Sequence, residues 1–386
     1  MGMKSHYQAL DGLRGTAAFS VFLFHICEML VVDLDHNPMP HTFLAVDFFF
    51  ALSGFVLGHA YDASMSRSGT TSRKALSFGG FVRRRLIRLH PMVVMALIIA
   101  VAAYLLDPYV GDGPRVGVKL PWLSFAMTVL LSLFLLPSPG LPDTFGETHS
   151  MNGPSWTLFQ EYIANLLYGL FGRTLRPGLH RLLCVASALA LAWTAWHFGD
   201  LGHGWGWSDF WVAPVRMAYP FLIGLLISRR KLSLAVPYPF FLLSAVLLAV
   251  FFAPRMGWFN GLFEAGCVII IFPAIVAGGT SVGEIKGWQG KLCRFAGELS
   301  YPLYIIHYPF IYLFAHWKWS MHPGPMRLGL VVAALFVGVA GLAYVLTRYY
   351  DRPVRAWLTR LGQERTTSGA PEIPPQPAVV PVPAAE

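Results

Sequence analysis

The stretch PWLSFAMTVLLSLFLL, residues 121–136, decides how the chain is threaded. It is as apolar as a membrane span, yet it is shorter than the roughly 20 residues a helix needs to cross a hydrocarbon core, and Pro121 and Pro137 bound it. Around it, apolar runs fall at about 15–32, 43–60, 86–106, 157–172, 182–198, 210–228, 234–253, 260–279, 298–316 and 328–347. The fold class is therefore an all-α polytopic membrane protein. The basic loops at 67–88, 173–181, 229–231, 286–294 and 348–360 should all face the cytoplasm. They agree with one another only if one run between Arg88 and Arg173 fails to cross. The 121–136 run is the weakest. With the Pro/Gly-rich PSPGLPDTFGETHSMNGPS that follows, it is read as a re-entrant or half-depth element, about 121–154, on the extracytoplasmic side. Irregular backbone of that kind is tolerated only when it is buried in protein or lines a cavity. About ten transmembrane helices remain, with both termini cytoplasmic.

Composition sets the same limits. Of 386 residues, 55% are hydrophobic and only 13% charged, well outside the soluble average. Residues 1–360 read as one membrane-embedded domain, and the Pro/Ala-rich 361–386 as a disordered cytoplasmic tail. The formal charge of +9 sits in short clusters between apolar runs, which excludes nucleic acid as a partner and leaves the lipid bilayer. Cys27, Cys184, Cys267 and Cys293 show no Cys-x-x-Cys spacing, so neither a zinc site nor a disulfide framework is expected, and no metal. Only Lys4 precedes the first apolar run, so an uncleaved first span is expected. The loops at 33–42, 107–119, 199–209 and 318–327 fall outside on this reading. No internal repeat is evident, which disfavours inverted-repeat transporters.

Ionisable groups at membrane depth are functional candidates. In YQALDGLRGTAAFSVFLFHICEML, residues 7–30, Arg14 and His25 are eleven positions apart, about 16 Å of helical rise and nearly one face. Glu28 follows one turn later on that face. An anion-binding group and a proton-transfer group arranged this way suit acid–base chemistry; the alternatives are a snorkelling Arg14 and a His25 bonded to a neighbouring helix. In VDFFFALSGF, Asp47 either orients His25 or an acceptor hydroxyl or is a solvated interfacial aspartate, while Ser53 and Gly54 permit close helix approach. In FVRRRLIRLHP, Arg85 and Arg88 share a face, as do Arg84 and Arg88. At a helix N-terminus they suit phosphate or serve as topology anchors. PSWTLFQEYIANLLYGL places Glu161 and Asn165 on one face, and ELSYPLYIIHYPFIYLFAH does so for Ser300, Tyr304 and His307. Pro309 there frees backbone carbonyls that nearby donors can satisfy.

Taken in order, LDGLRG, FHI, VDFFFALSGF, RRRLIRLHP, PSWTLFQEY, LSYPLYIIHYP and DRPVR make the chain resemble the acyltransferase-3 family of integral membrane acyltransferases over nearly its full length. The family's arginine and histidine separated by ten residues match Arg14 and His25, and its Arg-x-x-Arg matches Arg85 and Arg88. Its Trp-Ser-Leu-Ser-x-Glu-Glu appears as Trp156 to Tyr162, where Glu161 keeps the first glutamate and Tyr162 replaces the second. The resemblance implies a bacterial inner-membrane O-acyltransferase. Its donor substrate would be cytoplasmic acyl-CoA, with acetyl-CoA foremost, and its acceptor a hydroxyl of an extracytoplasmic polysaccharide or glycolipid. It implies His25, Arg14 and Glu161 as catalytic and Arg85 and Arg88 as donor-binding; the reading of the residues adds Asp47 to the catalytic set and Arg84 to the donor-binding set. Ser53, Tyr304 and His307 are candidates for the acceptor site. His25 either deprotonates the acceptor or takes the acyl group first. A transporter or lipid flippase is the alternative, a non-catalytic subunit of a polysaccharide-assembly complex a third reading, and a homo-oligomer is left open.

Overall fold

The computed structural model describes residues 7–65, 76–110, 122–172 and 174–367. Its helices are α1 Gln8–Glu28, α2 Ala45–Met65, α3 Phe78–Leu106, α4 Trp122–Leu133, α5 Ser155–Phe171, α6 Pro177–Phe198, α7 Val212–Arg230, α8 Pro239–Phe251, α9 Asn260–Gly266, α10 Phe272–Gly279, α11 Gly287–Ile306, α12 Tyr308–Met321, α13 Pro325–Leu346 and α14 Arg352–Thr367. Single π-helical turns at Cys267–Ile271 and Thr347–Asp351 join α9 to α10 and α13 to α14. Among the described residues there is no strand, only a lone bridge between Glu147 and Gly206. Among the described residues, six helices are long and apolar enough to cross a membrane: Thr42–Asp62, Phe78–Leu106, Pro177–Phe198, Val212–Arg230, Gly257–Gly279 and Pro325–Leu361. The last buries only 11% of its apolar window inside the protein. Leu330, Val337 and Val345 face outward, as apolar side chains do where lipid is the solvent, while Val339 packs into the core.

Two close helix crossings place the polar groups. In α1, a Cβ on Gly15 would lie 2.4 Å from the Cβ of Ala296 on α11, and one on Gly297 would lie 2.6 Å from the Cβ of Asp11. Only small residues allow that approach, and it brings Arg14 against Ser300. Between α2 and α7, Cβ atoms on Gly54 and Gly224 would each come within 2.0 Å of a backbone carbonyl, of Phe221 and Ala51 respectively. That crossing sets Asp47 beside Arg216.

The described parts of the segment from 107 to 154, residues 107–110 and 122–154, pack on the bundle at one end. Asp107 pairs with His316 at 2.6 Å, Tyr104 donates to Pro142 O and Tyr312 to Ser150 O. Its helix α4 has 12 residues, about 18 Å of rise against a core of roughly 30 Å. At the opposite end, Asp62 accepts from Tyr168 and Arg229, and Arg229 also donates to Gly172 O. The C-terminal ends of α2, α5 and α7 therefore meet.

Two sequence expectations need correction. The run 298–316 is not one helix: it breaks at His307, between α11 and α12, where Pro309 lacks the N–H that would continue the ladder. The basic stretch 348–360 is not a loop. It continues α13 through the π turn into α14, because arginine, alanine and leucine propagate a helix well even where charge ends the apolar pattern. Residues 66–75 and 111–121 of the expected loops, and the tail beyond 367, lie outside the described residues.

Candidate active site

A cavity of about 420 Å³ opens among α1, α2, α3, α5 and α11 and reaches the π turn before α14. Five arginines line it: Arg14, Arg85, Arg88, Arg294 and Arg355; so do four carboxylates, Asp11, Glu161, Glu298 and Asp351. Most are matched. Arg14 donates to Asp11 at 3.1 Å, to Ser300 Oγ at 3.0 Å and to Gly297 O at 3.2 Å. Arg85 donates to Glu161 at 2.8 Å, and Glu161 also accepts from Ser53 at 3.1 Å. Arg355 pairs with Asp351 at 2.9 Å, and Glu298 pairs with Arg352, which lies outside the cavity lining. Arg88 and Arg294 are exposed and have no carboxylate partner among the described residues. Unpaired guanidinium groups in a concave site are the natural partners of phosphate.

The other end of the cavity is apolar and aromatic, lined by Val46, Phe49, Phe50, Leu158 and Tyr304. Along α11, Tyr304 lies ten residues beyond Arg294, about 15 Å of rise. Its hydroxyl shares a 2.9 Å hydrogen bond with Thr157, and its ring centroid is 5.9 Å from that of His307. His307 stacks in turn on His25 at 5.3 Å with 20° between the rings.

Both imidazoles are held by one nitrogen. Nδ1 of His25 is 2.9 Å from Glu28 Oε2, so it carries the proton donated to the carboxylate and leaves Nε2 with its lone pair. In His307, which is fully buried, Nδ1 donates to Tyr304 O at 2.8 Å, and Nε2 has no hydrogen-bond partner among the described residues. A fixed tautomer with an uncommitted Nε2 is what proton transfer requires. His25 retains 17% exposure, whereas His307 retains none.

The acyltransferase-domain family model matches residues 7–348. The chain belongs to the acyltransferase-3 family. Acyltransferase MdmB of Streptomyces mycarofaciens is 26% identical over 94% of this chain and 95% of its own length. The putative membrane-bound transacylase BcsY of Komagataeibacter xylinus is 26% identical over 89% of this chain and 82% of its own length. Peptidoglycan O-acetyltransferase OatA of Listeria monocytogenes is 23% identical over 91% of this chain and 56% of its own length. No solved structure matches the chain. Within this acyltransferase-3 chain, the matched region stops short of Asp351 and Arg355, which line the cavity all the same.

Several residues expected to share a site are brought together in this acyltransferase-3 protein. Arg14, Arg85, Arg88, Ser53, Glu161 and Tyr304 share the cavity. His25 does not line it; Tyr304 and His307 stand between, so the single Arg14–His25 stripe expected from spacing is divided into two compartments. Ser53, expected on the acceptor side, faces the arginines through Glu161. Arg84 is exposed and outside the lining. Asp47 is not brought to His25: it is fully buried and bound by Arg216 at 2.6 and 3.3 Å. Arg216 also donates to Phe43 O and His203 O, which makes the pair a brace between α2 and α7. Sequence reasoning missed Arg216, Arg294 and Arg355. An arginine inside the apolar run 210–228 was a visible signal for the first; the others become neighbours only through tertiary packing.

Proposed function

We propose that the protein is an integral membrane O-acyltransferase. It would move an acyl group, acetyl foremost, from cytoplasmic acyl-CoA to a hydroxyl of an extracytoplasmic polysaccharide or glycolipid. In this reading ten helical segments cross a bacterial inner membrane, and the end bearing Asp62, Gly172 and Arg229 faces the cytoplasm with both termini, because the basic clusters gather there. The observation that carries the reading is the cavity itself: Arg88 and Arg294, without a carboxylate partner among the described residues, beside paired charges, and an apolar end closed by Tyr304 against the stacked His307 and His25.

The anionic nucleotide end of the donor would take Arg88 and Arg294, with Arg355 and Arg85 released in part from their carboxylates. The pantetheine arm would run along the apolar lining toward Tyr304. His25, with Nδ1–H held by Glu28, takes the proton of the acceptor hydroxyl on Nε2. The alkoxide oxygen bonds the thioester carbonyl carbon, the C–S bond breaks, and the CoA thiolate leaves to be protonated. In the two-step variant Nε2 of His25 takes the acyl group first. The relatives' names, a peptidoglycan O-acetyltransferase and a transacylase among them, support acyl transfer to an envelope acceptor.

Inverted membrane vesicles given labelled acetyl-CoA test this. Free CoA thiol and alkali-labile label on envelope glycan, both dependent on the gene, are expected. Movement of an unmodified glycolipid with no thiol release would replace acyl transfer with transport. Unchanged glycan acylation by His25→Ala would make the protein a non-catalytic subunit.

A further inference from the structure

The junction of α11 and α12 carries His307 and Tyr308, and residues 145–153 hold it in place. Because Pro309 has no N–H, the carbonyl of Ile305 four residues earlier loses its helical partner. Asn152 replaces that partner, its Nδ2 donating to Ile305 O at 2.7 Å. Tyr308 donates to Glu147 Oε1 at 3.0 Å, while Glu147 Oε2 accepts from the backbone N–H of Phe145 at 2.9 Å. Glu147 is 2% exposed. Gly153 leaves room for the same tyrosine, since a Cβ there would stand 2.7 Å from ring atom Cε1. The ring held in this way meets His25 edge-on, with centroids 5.0 Å apart and planes at 83°. Glu147, Asn152 and Gly153 lie outside the cavity lining.

We infer that Glu147 is a positioning residue for His25, acting through the Tyr308 hydroxyl, so that the extracytoplasmic segment sets the geometry of the chemical step without touching the donor. The inference rests on the reading of His25 as the reacting base or nucleophile. A ring anchored at its hydroxyl by a buried carboxylate cannot tilt, and it forms the wall that fixes the imidazole with Nε2 toward the reacting atoms. Misplacement by about an ångström costs up to about a hundredfold in rate.

The test uses full-length protein in lipid nanodiscs. Turnover is counted per site that binds labelled acetyl-CoA, which removes any misfolded fraction. Glu147→Gln and Tyr308→Phe are each expected to lower it by about tenfold to a hundredfold, with donor affinity unchanged and with Glu147→Asp recovering part of the loss. In single-turnover measurements on the residual activity of His25→Ala, adding Glu147→Gln should cost nothing more, because groups acting through one another are not additive. The inference is overturned if Glu147→Gln keeps wild-type turnover per binding site, or if its penalty multiplies undiminished onto that of His25→Ala. If Glu147→Gln binds no donor, Tyr308→Phe alone decides by the same two criteria. Full turnover by His25→Ala itself would instead overturn the underlying reading of the histidine.

Discussion

In the cavity, five arginines and four carboxylates line an open volume, most of them paired, whereas beyond its apolar end Tyr304, His307 and His25 meet in packed protein, with the Glu28 carboxylate on His25. The two regions handle charge differently. The first leaves Arg88 and Arg294 exposed and without carboxylate partners among the described residues, so an incoming anion meets donors that need not be taken from an existing pair. The second fixes each imidazole by one nitrogen and leaves the other free, so that protons rather than ions are managed there. Substitutions in the two regions should therefore fail in different assays.

The largest effect should come from the histidine region. His25→Ala is expected to lower turnover by about a hundredfold to ten-thousandfold, the usual contribution of a positioned base, and steady-state transfer to envelope glycan measures it. Next is the Asp47–Arg216 brace, which belongs to neither region. Asp47→Ala leaves Arg216 buried without its carboxylate, a change that costs about 3–5 kcal/mol of stability. It should appear as lowered resistance to thermal aggregation in detergent, with the donor constant of the surviving folded protein unchanged. In the cavity, Arg88→Gln should raise the apparent donor constant by roughly tenfold to a hundredfold, since a charge-assisted bond contributes about 1.5–3 kcal/mol. Lysine should restore part of that loss as a point charge. The smallest effect is expected at Arg84, exposed and outside the lining. Arg84→Gln should change the donor constant by less than about twofold, as exposed charges contribute little.

The helical character, the apolar runs and the odd standing of 121–136 were legible because hydrophobic periodicity is local information. So were the cavity residues Arg14, Arg85, Arg88 and Glu161, since charge in an apolar run has few inert explanations. The partition between Arg14 and His25 was not legible. Spacing along α1 puts them near one face, but only the α1–α11 crossing shows that Tyr304 and His307 come between them. Asp47 misled for a related reason: a carboxylate near a helix end has the same sequence signature whether it faces solvent, a base or a buried arginine. The helical course of 348–360 was hidden by its own arginines, which end the apolar pattern without ending the helix.

Equilibrium binding of labelled acetyl-CoA to the purified protein in nanodiscs, compared among wild type, His25→Ala and the double variant Arg88→Gln with Arg294→Gln, most directly tests the division between a donor cavity and a histidine site beyond it. His25→Ala should bind within about twofold of wild type, because it lies outside the cavity and distant sites act independently. The double arginine variant should bind at least about a hundredfold more weakly. Normal binding by the arginine variant together with lost binding by His25→Ala would contradict the division and place the donor's charged end elsewhere.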